Sequence, residues 1–283
     1  MRTYLDDHLP QDHVLGAVTL HDAMAYSVLG GGKRVRAMLV MLGAQLMDVD
    51  PRAALPLAGG IEMIHAYSLI HDDLPAMDND DLRRGKPTNH KVYGEGMAIL
   101  AGDALLTNAM EWMLGAAMDF TGNRADWYRA AHIIIAAAGM NGMALGQALD
   151  LQFEGQPVDM DALRVIHKHK TGALMQAAVS AGVALGPPSE QQMDAVVRYG
   201  AAIGLAFQIR DDLLDVTGGK ALGKTLGKDA AAGKATYPGL MGIQESEARI
   251  AEVTEDAVQA LAVFGGKESA LVALAHSLAG RVY

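Results

Sequence analysis

An all-α fold is what this sequence predicts, on three observations. Apolar residues make up 51% of the chain, with alanine, leucine, methionine and glycine dominant and aromatics at only 5%. β-branched residues never cluster in the strict alternation of a half-buried strand, and the commonest side chains are strong helix formers. Breakers divide the chain into long helical segments, the clearest being Gly30-Gly31-Gly32, Pro75, Pro87, Gly155 to Pro157, Pro187-Pro188 and Gly218-Gly219. No repeat period, low-complexity tract or long linker intervenes. The expectation is therefore a single domain over residues 1–283, built from about ten helices.

Composition narrows the function classes. A formal net charge of −10 argues against a nucleic-acid or anionic-membrane partner, since either needs a basic face. Acidity does not exclude anionic substrates, because a divalent cation can bridge protein carboxylates to phosphate oxygens. With no cysteine there is no disulfide framework, thiol nucleophile or cysteine-based zinc site. Residues Met1 to Leu20 carry acids and histidines and lack a signal-peptide h-region, and no apolar run is expected to span a membrane. A cytoplasmic protein is expected.

Two helical segments matter most. Ser189 and Gln192 form a capping-box pattern after two prolines, and the helical pattern then runs to Gly218. Met193, Val196, Val197, Ala201 and Leu205 recur at three-four spacing and are read as its buried stripe. Gly204, Gln208, Asp211, Asp212 and Asp215 follow a second stripe, so one face of an apolar helix carries an amide and three carboxylates. The segment from Ala53 to Leu74 is likewise apolar and helical, and it ends in His71-Asp72-Asp73 just before Pro75.

The first acidic cluster comprises Asp72, Asp73, Asp78, Asp80 and Asp81, followed at once by Arg83 and Arg84. The second comprises Asp211, Asp212 and Asp215. Carboxylates at this density repel one another unless cations neutralise them, and hard oxygen ligands select Mg2+ over zinc or copper. Six residues of straight helix turn through about 600°, which would keep Asp72 and Asp78 off a common face. By ending the helix, Pro75 lets the loop fold Asp78 back toward Asp72. One such cluster alone reads as a solvated acidic loop. Two clusters, each ending an apolar helix and each followed by basic residues, point to metal and arginine holding a phosphate group together. The cations form a matching set: Lys33, Arg34 and Arg36 after the triple glycine, Lys170 before Thr171-Gly172, and Lys224, Lys228 and Lys234 after the second cluster. Any one of them could be a snorkelling surface side chain. That reading is even for Lys228 and weaker for Lys170, whose Thr171-Gly172 invites a local kink.

The runs GGGKRVR, HAYSLIHDDLPAMDNDDLRRGKPTNH, GQALD, HKHKTG and FQIRDDLLD, in this order and spacing, closely resemble the trans-prenyl diphosphate synthases over nearly the whole chain. Two aspartates followed by four residues and a third resemble the bacterial farnesyl and plastid-type geranylgeranyl synthases in particular. The resemblance implies a helical bundle around a central elongated cavity, a homodimer, and condensation of isopentenyl diphosphate with an allylic diphosphate. It implies that Asp72, Asp73, Asp78, Asp211 and Asp215 bind Mg2+, and that Arg83, Lys170 and Lys224 complete the grip on the allylic diphosphate. Lys33, Arg36, His65 and Arg84 would hold isopentenyl diphosphate. Thr171 and Gln208 would line the developing allylic cation, and Gln147 with Asp150 would orient lysines from below. Ala37 stands where the family usually has proline, the N-terminal segment is somewhat short, and the sequence ends Arg281-Val282-Tyr283 instead of in a basic pair.

Tyr67 lies five residues before Asp72, about 7.5 Å down the helix axis, where a ring could stop a growing chain; by spacing alone it is equally an ordinary core aromatic. Synthases of the farnesyl type often carry an aromatic there, which favours a C15 product over C20. An HD-type metal phosphohydrolase, suggested by His71-Asp72, leaves Asp211 to Asp215 and the arginines without a task. A class I terpene cyclase would need more aromatic lining than four phenylalanines and two tryptophans offer. A non-catalytic regulatory subunit would have little reason to keep both clusters and their basic partners.

Overall fold

A computed structural model describes residues 1–9, 17–218 and 234–281. Lys224 and Lys228 lie outside the described residues. The described residues form α1 (Arg2–His8), α2 (Ala17–Val28), α3 (Val35–Leu46), α4 (Leu55–Asp72), α5 (Asn89–Tyr93), α6 (Glu95–Gly115), α7 (Arg124–Ala138), α8 (Met143–Phe153) and α9 (Met160–His167). A π-helical turn, Lys168–Gly172, leads into α10 (Ala173–Ala184), followed by α11 (Glu190–Thr217), α12 (Tyr237–Met241), α13 (Ile243–Ala260) and α14 (Ser269–Ala279). Leu82–Arg83 (β1) and Lys86–Pro87 (β2) make a minimal antiparallel hairpin. The fold is all-α as expected, with more helices than composition suggested. Two of the extra breaks share one cause: Gly94 (φ 84°) and Gly242 (φ 87°) each end a five-residue helix and start the next, a backbone turn that favours glycine.

Helix α10 runs through the centre, with all of Leu174 to Ala184 buried except Gln176. Small residues bring its backbone against α3. A Cβ on Gly182 would lie 2.1 Å from the Val40 carbonyl oxygen, and one on Gly43 would lie 2.5 Å from that of Val179. The main apolar core surrounds α10, while a second core of Leu163, Ala206, Ile209, Leu213, Tyr237, Ile250 and Val253 joins α9 and α11 to α12 and α13. This second core anchors the end of α11 that carries the aspartates.

On α11 the capping box is present, with Ser189 accepting from the Gln192 amide at 3.2 Å and the Gln192 side chain accepting from the Ser189 amide at 3.0 Å. The buried stripe is rotated from the one expected. Ala201 is exposed and Met193, Val197 and Leu205 are half-buried, whereas Val196, Tyr199, Ile203, Ala206, Ile209 and Leu213 are buried. The reason is that α11 is covered on two sides. Gly200 packs on α10, where a Cβ would lie 2.5 Å from the Gln176 Cα, and α13 packs on the other flank. A single apolar stripe does not describe such a helix.

By length and apolarity the stretch Arg124–Phe153 reaches that of a membrane-crossing helix, contrary to expectation. It is two helices, because α7 ends at Ala138 and α8 begins at Met143.

Gly182→Ala should lower unfolding free energy by roughly 1–3 kcal/mol, since its Cβ meets backbone that cannot step aside. Urea denaturation of the two proteins measures the difference.

Candidate active site

Helix α4 delivers Asp72 at its last position, 7% exposed at the end of an otherwise apolar helix. The chain then folds back as Pro75 suggested. The Asp78 amide donates to the Asp72 carbonyl at 2.9 Å, and the Asp80 amide donates to the Asp73 carbonyl at 3.1 Å. The hairpin turns Arg83 onto Asp73, with its Nε 2.8 and 2.9 Å from the two carboxylate oxygens and Nη2 at 2.6 Å. Burial pushes the Asp73 carboxyl up from its ordinary range despite the guanidinium beside it. Asp73 therefore faces Arg83, while Asp72 and Asp78 face lysines.

Those lysines come from the far side of the site. Lys170, in the π turn, lies 2.7 Å from Asp150 and 3.8 Å from Asp72. Lys234 lies 2.7 Å from Asp78 and 3.4 Å from Asp150. Burial works to lower both ammonium groups, yet the surrounding aspartates hold both above their ordinary value, so both stay charged. Asp150 on α8 is the shared anchor and is held below the usual carboxylate range, the two lysines overcoming the upward push of burial. Gln147 has a different partner from the one expected. Its Nε2 donates to Asp72 Oδ1 at 2.6 Å, at the end of α4, and it hydrogen-bonds neither lysine. Gly146 explains the glycine of the GQALD run: a Cβ there would lie 2.0 Å from the Lys170 amide nitrogen.

The second cluster joins the first through the π turn. Thr171 donates to Gln208 Oε1 at 2.8 Å, and Gln208 Nε2 donates to Asp212 at 3.0 Å. Asp212, 3% exposed, also accepts from the Tyr237 amide at 3.0 Å. Asp211 pairs with Arg281 at 2.6 Å, and Asp215 lies one turn further along, half-buried. Polar contacts thus run from Asp212 through Gln208 to Thr171, and from the adjacent Lys170 to Asp72.

Beside it lies a cluster of cations. Arg84 donates Nη1 to the Gly31 carbonyl at 2.6 Å, and a Cβ on Gly32 would lie 2.8 Å from its guanidinium, which accounts for glycine there. Glu62, 3% exposed, accepts from the Ala37 amide at 3.1 Å and from Arg34 at 3.2 Å. Burial lowers Arg36 to about 10, with Arg84 adding to the fall and Glu62 opposing it. Burial and then Arg36, Arg84, Arg83 and Arg34 hold His65 well below its ordinary value, so its ring is neutral at pH 7. Burial also lowers Lys33, with Arg281 acting the same way and Asp211 opposing.

Contacts join Asp72, Asp73, Asp78, Arg83, Lys170, Thr171 and Gln208, Asp211 pairs with Arg281, and Lys224 lies outside the described residues. Sequence reasoning passed over Glu62, gave Arg281 no role, and named Lys234 only as one of a matching set of cations. Glu62 had a signal, since it is the one charged residue between Arg52 and His65 in an apolar helix. His71 turns away: its Nε2 donates to the Ile99 carbonyl at 3.0 Å on α6, where Gly102 leaves room for the ring. An HD pair with Asp72 is therefore not formed. Among the described residues no three acidic or imidazole side chains converge as a metal cage. Asp72, Asp78 and Asp211 each contact a cationic side chain instead. As hard, anionic oxygen donors held beside cations that can exchange, these residues fit Mg2+.

Residues 17–264 match the family model described as polyprenyl synthetase. The chain belongs to that family. The farnesyl diphosphate synthase of Geobacillus stearothermophilus is 47% identical over 83% of this chain and 80% of its own length. Large subunit 2 of the heterodimeric geranylgeranyl pyrophosphate synthase of Arabidopsis thaliana is 45% identical over 93% of this chain and 70% of its own length. Among solved structures, the FPP/GFPP synthase of Zymomonas mobilis superposes with a TM-score of 0.87 at 36% identity, covering 99% of this chain and 94% of that one. As a member of the polyprenyl synthetase family this protein is a prenyltransferase, and its all-α architecture is that of its structural neighbours.

His167 gives the site a pH signature. It is 9% exposed and stacked on Tyr237, and burial, reinforced by Lys170, holds it at about 4, below the ordinary 6.5. The unfolded chain takes up a proton that the folded chain refuses, so stability should fall as pH drops from 6.5 toward 4 and change no further through this group below that. The loss amounts to about 3 kcal/mol at most. Urea unfolding of wild type and His167→Gln across that range should show a shallower slope for the variant.

Proposed function

We propose that this prenyltransferase condenses isopentenyl diphosphate with an allylic diphosphate, dimethylallyl or geranyl, using Mg2+, and that its product is farnesyl diphosphate. The observation that supports the reading is the pair of polar contacts made by the adjacent Thr171 and Lys170, one leading to Asp212 and the other to Asp72. Asp72, Asp73, Asp78, Asp211 and Asp215 would hold Mg2+, with Asp73 also steering Arg83. Bound Mg2+ would supply positive charge that stabilises the departing diphosphate.

The chain's own groups do the rest. Lys170 and Arg83, joined by Lys234, present fixed positive charge to the leaving group without having to reorganise. Lys224 belongs to the same proposed set. Thr171 and Gln208, already bonded to each other, face the reacting carbons with dipoles and no nucleophile, so the developing allylic cation meets only the isopentenyl double bond. Lys33, Arg36 and Arg84 would hold isopentenyl diphosphate as a metal-free anion. Neutral His65 can donate one hydrogen bond there while adding no charge to an already cationic pocket.

A homodimer is the proposed assembly. Product length is proposed as C15 on Tyr67, half-buried against the core with its ring edge-on to His71 at 5.8 Å, below the first cluster. The relatives named for geranylgeranyl products keep C20 as the competing outcome.

Replacing Asp72 or Asp211 by alanine should reduce turnover with saturating Mg2+ by roughly 100-fold or more, as expected when charge stabilisation of a leaving group is lost. Wild-type turnover in both variants would overturn the reaction proposed. Chromatography of products from isopentenyl and dimethylallyl diphosphates should show C15 for wild type and longer chains for Tyr67→Ala. An unchanged profile would remove Tyr67 as the stop.

A further inference from the structure

Among the described residues, Lys170, Lys234 and Arg281 lie within 4 Å of Asp72, Asp78 and Asp211, and they are not held alike. Lys170 and Lys234 each have Asp150 as a second carboxylate, so each keeps an anionic partner if Asp72 or Asp78 turns to another ion. Arg281 pairs with Asp211 at 2.6 Å and has no other carboxylate partner among the described residues. Its guanidinium carbon lies 4.1 Å from the ring centroid of Phe207, one turn before Asp211. The neighbouring Arg210 fixes the backbone just ahead of it, donating Nε to the Ala279 carbonyl at 2.7 Å while its Nη1 bonds Glu247 at 3.1 Å. The Arg281 side chain is only 11% exposed, and its Nε is buried without a hydrogen-bond partner. Three residues of α11, Phe207, Arg210 and Asp211, therefore dock the segment after α14 over the second aspartate cluster, with Arg281 as an incompletely satisfied ion.

We propose that Arg281 is a positioning residue of the second cluster, an internal counter-ion that holds Asp211 and that a divalent cation must displace before Asp211 can ligate it. The proposal rests on the metal-binding reading above. An arginine and a divalent ion compete for the same carboxylate oxygens, so their binding is linked. Whatever free energy Arg281 contributes to docking its segment is subtracted from cation affinity, and the cation in turn loosens the segment. The second cluster would then take its ion less readily than its carboxylate count alone implies, and ion binding would report itself at Gly280 and Arg281, away from the first cluster.

The test titrates Mn2+, as a paramagnetic probe, into wild type, Arg281→Gln and Arg281→Lys, and follows amide hydrogen exchange at residues 279–281 with and without Mg2+. Arg281→Gln should bind Mn2+ roughly two- to fivefold tighter, the span expected for removing one partly exposed competing ion pair. Arg281→Lys, which keeps the charge, should stay near wild type. Mg2+ should speed exchange at Gly280 and Arg281 in wild type, whereas Arg281→Gln should exchange fast without it and respond little. Equal Mn2+ affinity in wild type and Arg281→Gln, or segment exchange indifferent to Mg2+, overturns the counter-ion role alone. A wild-type chain that binds no Mn2+ overturns the metal reading and this proposal with it.

Discussion

Carboxylates at the end of an apolar helix must be neutralised where they stand, and the rest of this molecule is arranged around that requirement. Asp72 and Asp73 are both nearly buried, on a helix that brings no cation of its own near them. Burial of such groups costs several kcal/mol unless partners arrive from elsewhere in the chain. They come from three directions: Arg83 through the hairpin, Gln147 from α8, and Lys170 from the π turn. Asp150 then fixes the lysines that would otherwise repel each other. The network thus ties together stretches up to 156 residues apart in sequence, the separation of Asp78 and Lys234.

Close backbone approach is what makes those distances possible. Gly146 lets α8 lie directly on the Lys170 amide, and Gly204 brings α11 near Gly172, where a Cβ would lie 3.0 Å from the Gly172 Cα. The π turn between them points Lys170 to one cluster and Thr171 to the other. A regular helix would place these two adjacent side chains about 100° apart in any case. The extra residue in the turn sets where the pair sits relative to both acidic helix ends, and π bulges are often found at functional sites.

The basic cluster has the opposite difficulty. Arg34, Arg36, Arg83 and Arg84 crowd around His65, and Arg34 and Arg84 both adopt positive φ to reach their places (53° each). Glu62 moderates the crowding from beneath and ties it to the start of α3 through the Ala37 amide. Burial, reinforced by the remaining excess of positive charge, keeps His65 neutral, and the Arg36 Nε is buried without a partner, as suits a pocket for an anion.

The chemistry-bearing groups were legible in the sequence because dense acids ending apolar helices, followed by basic runs, are local patterns. So were the all-α class, the α11 capping box and the break at Pro75, each of which depends on residues within a few positions. The partner of each group was not. Gln147 bonds Asp72 where lysines were expected, α11 buries a rotated face, and Arg281 joins the second cluster without a motif to mark it. Spacing along a helix assigns a residue to a face, but which faces meet depends on how closely two backbones can pass. That was decided by glycines such as Gly146 and Gly182 only once the helices had packed against one another.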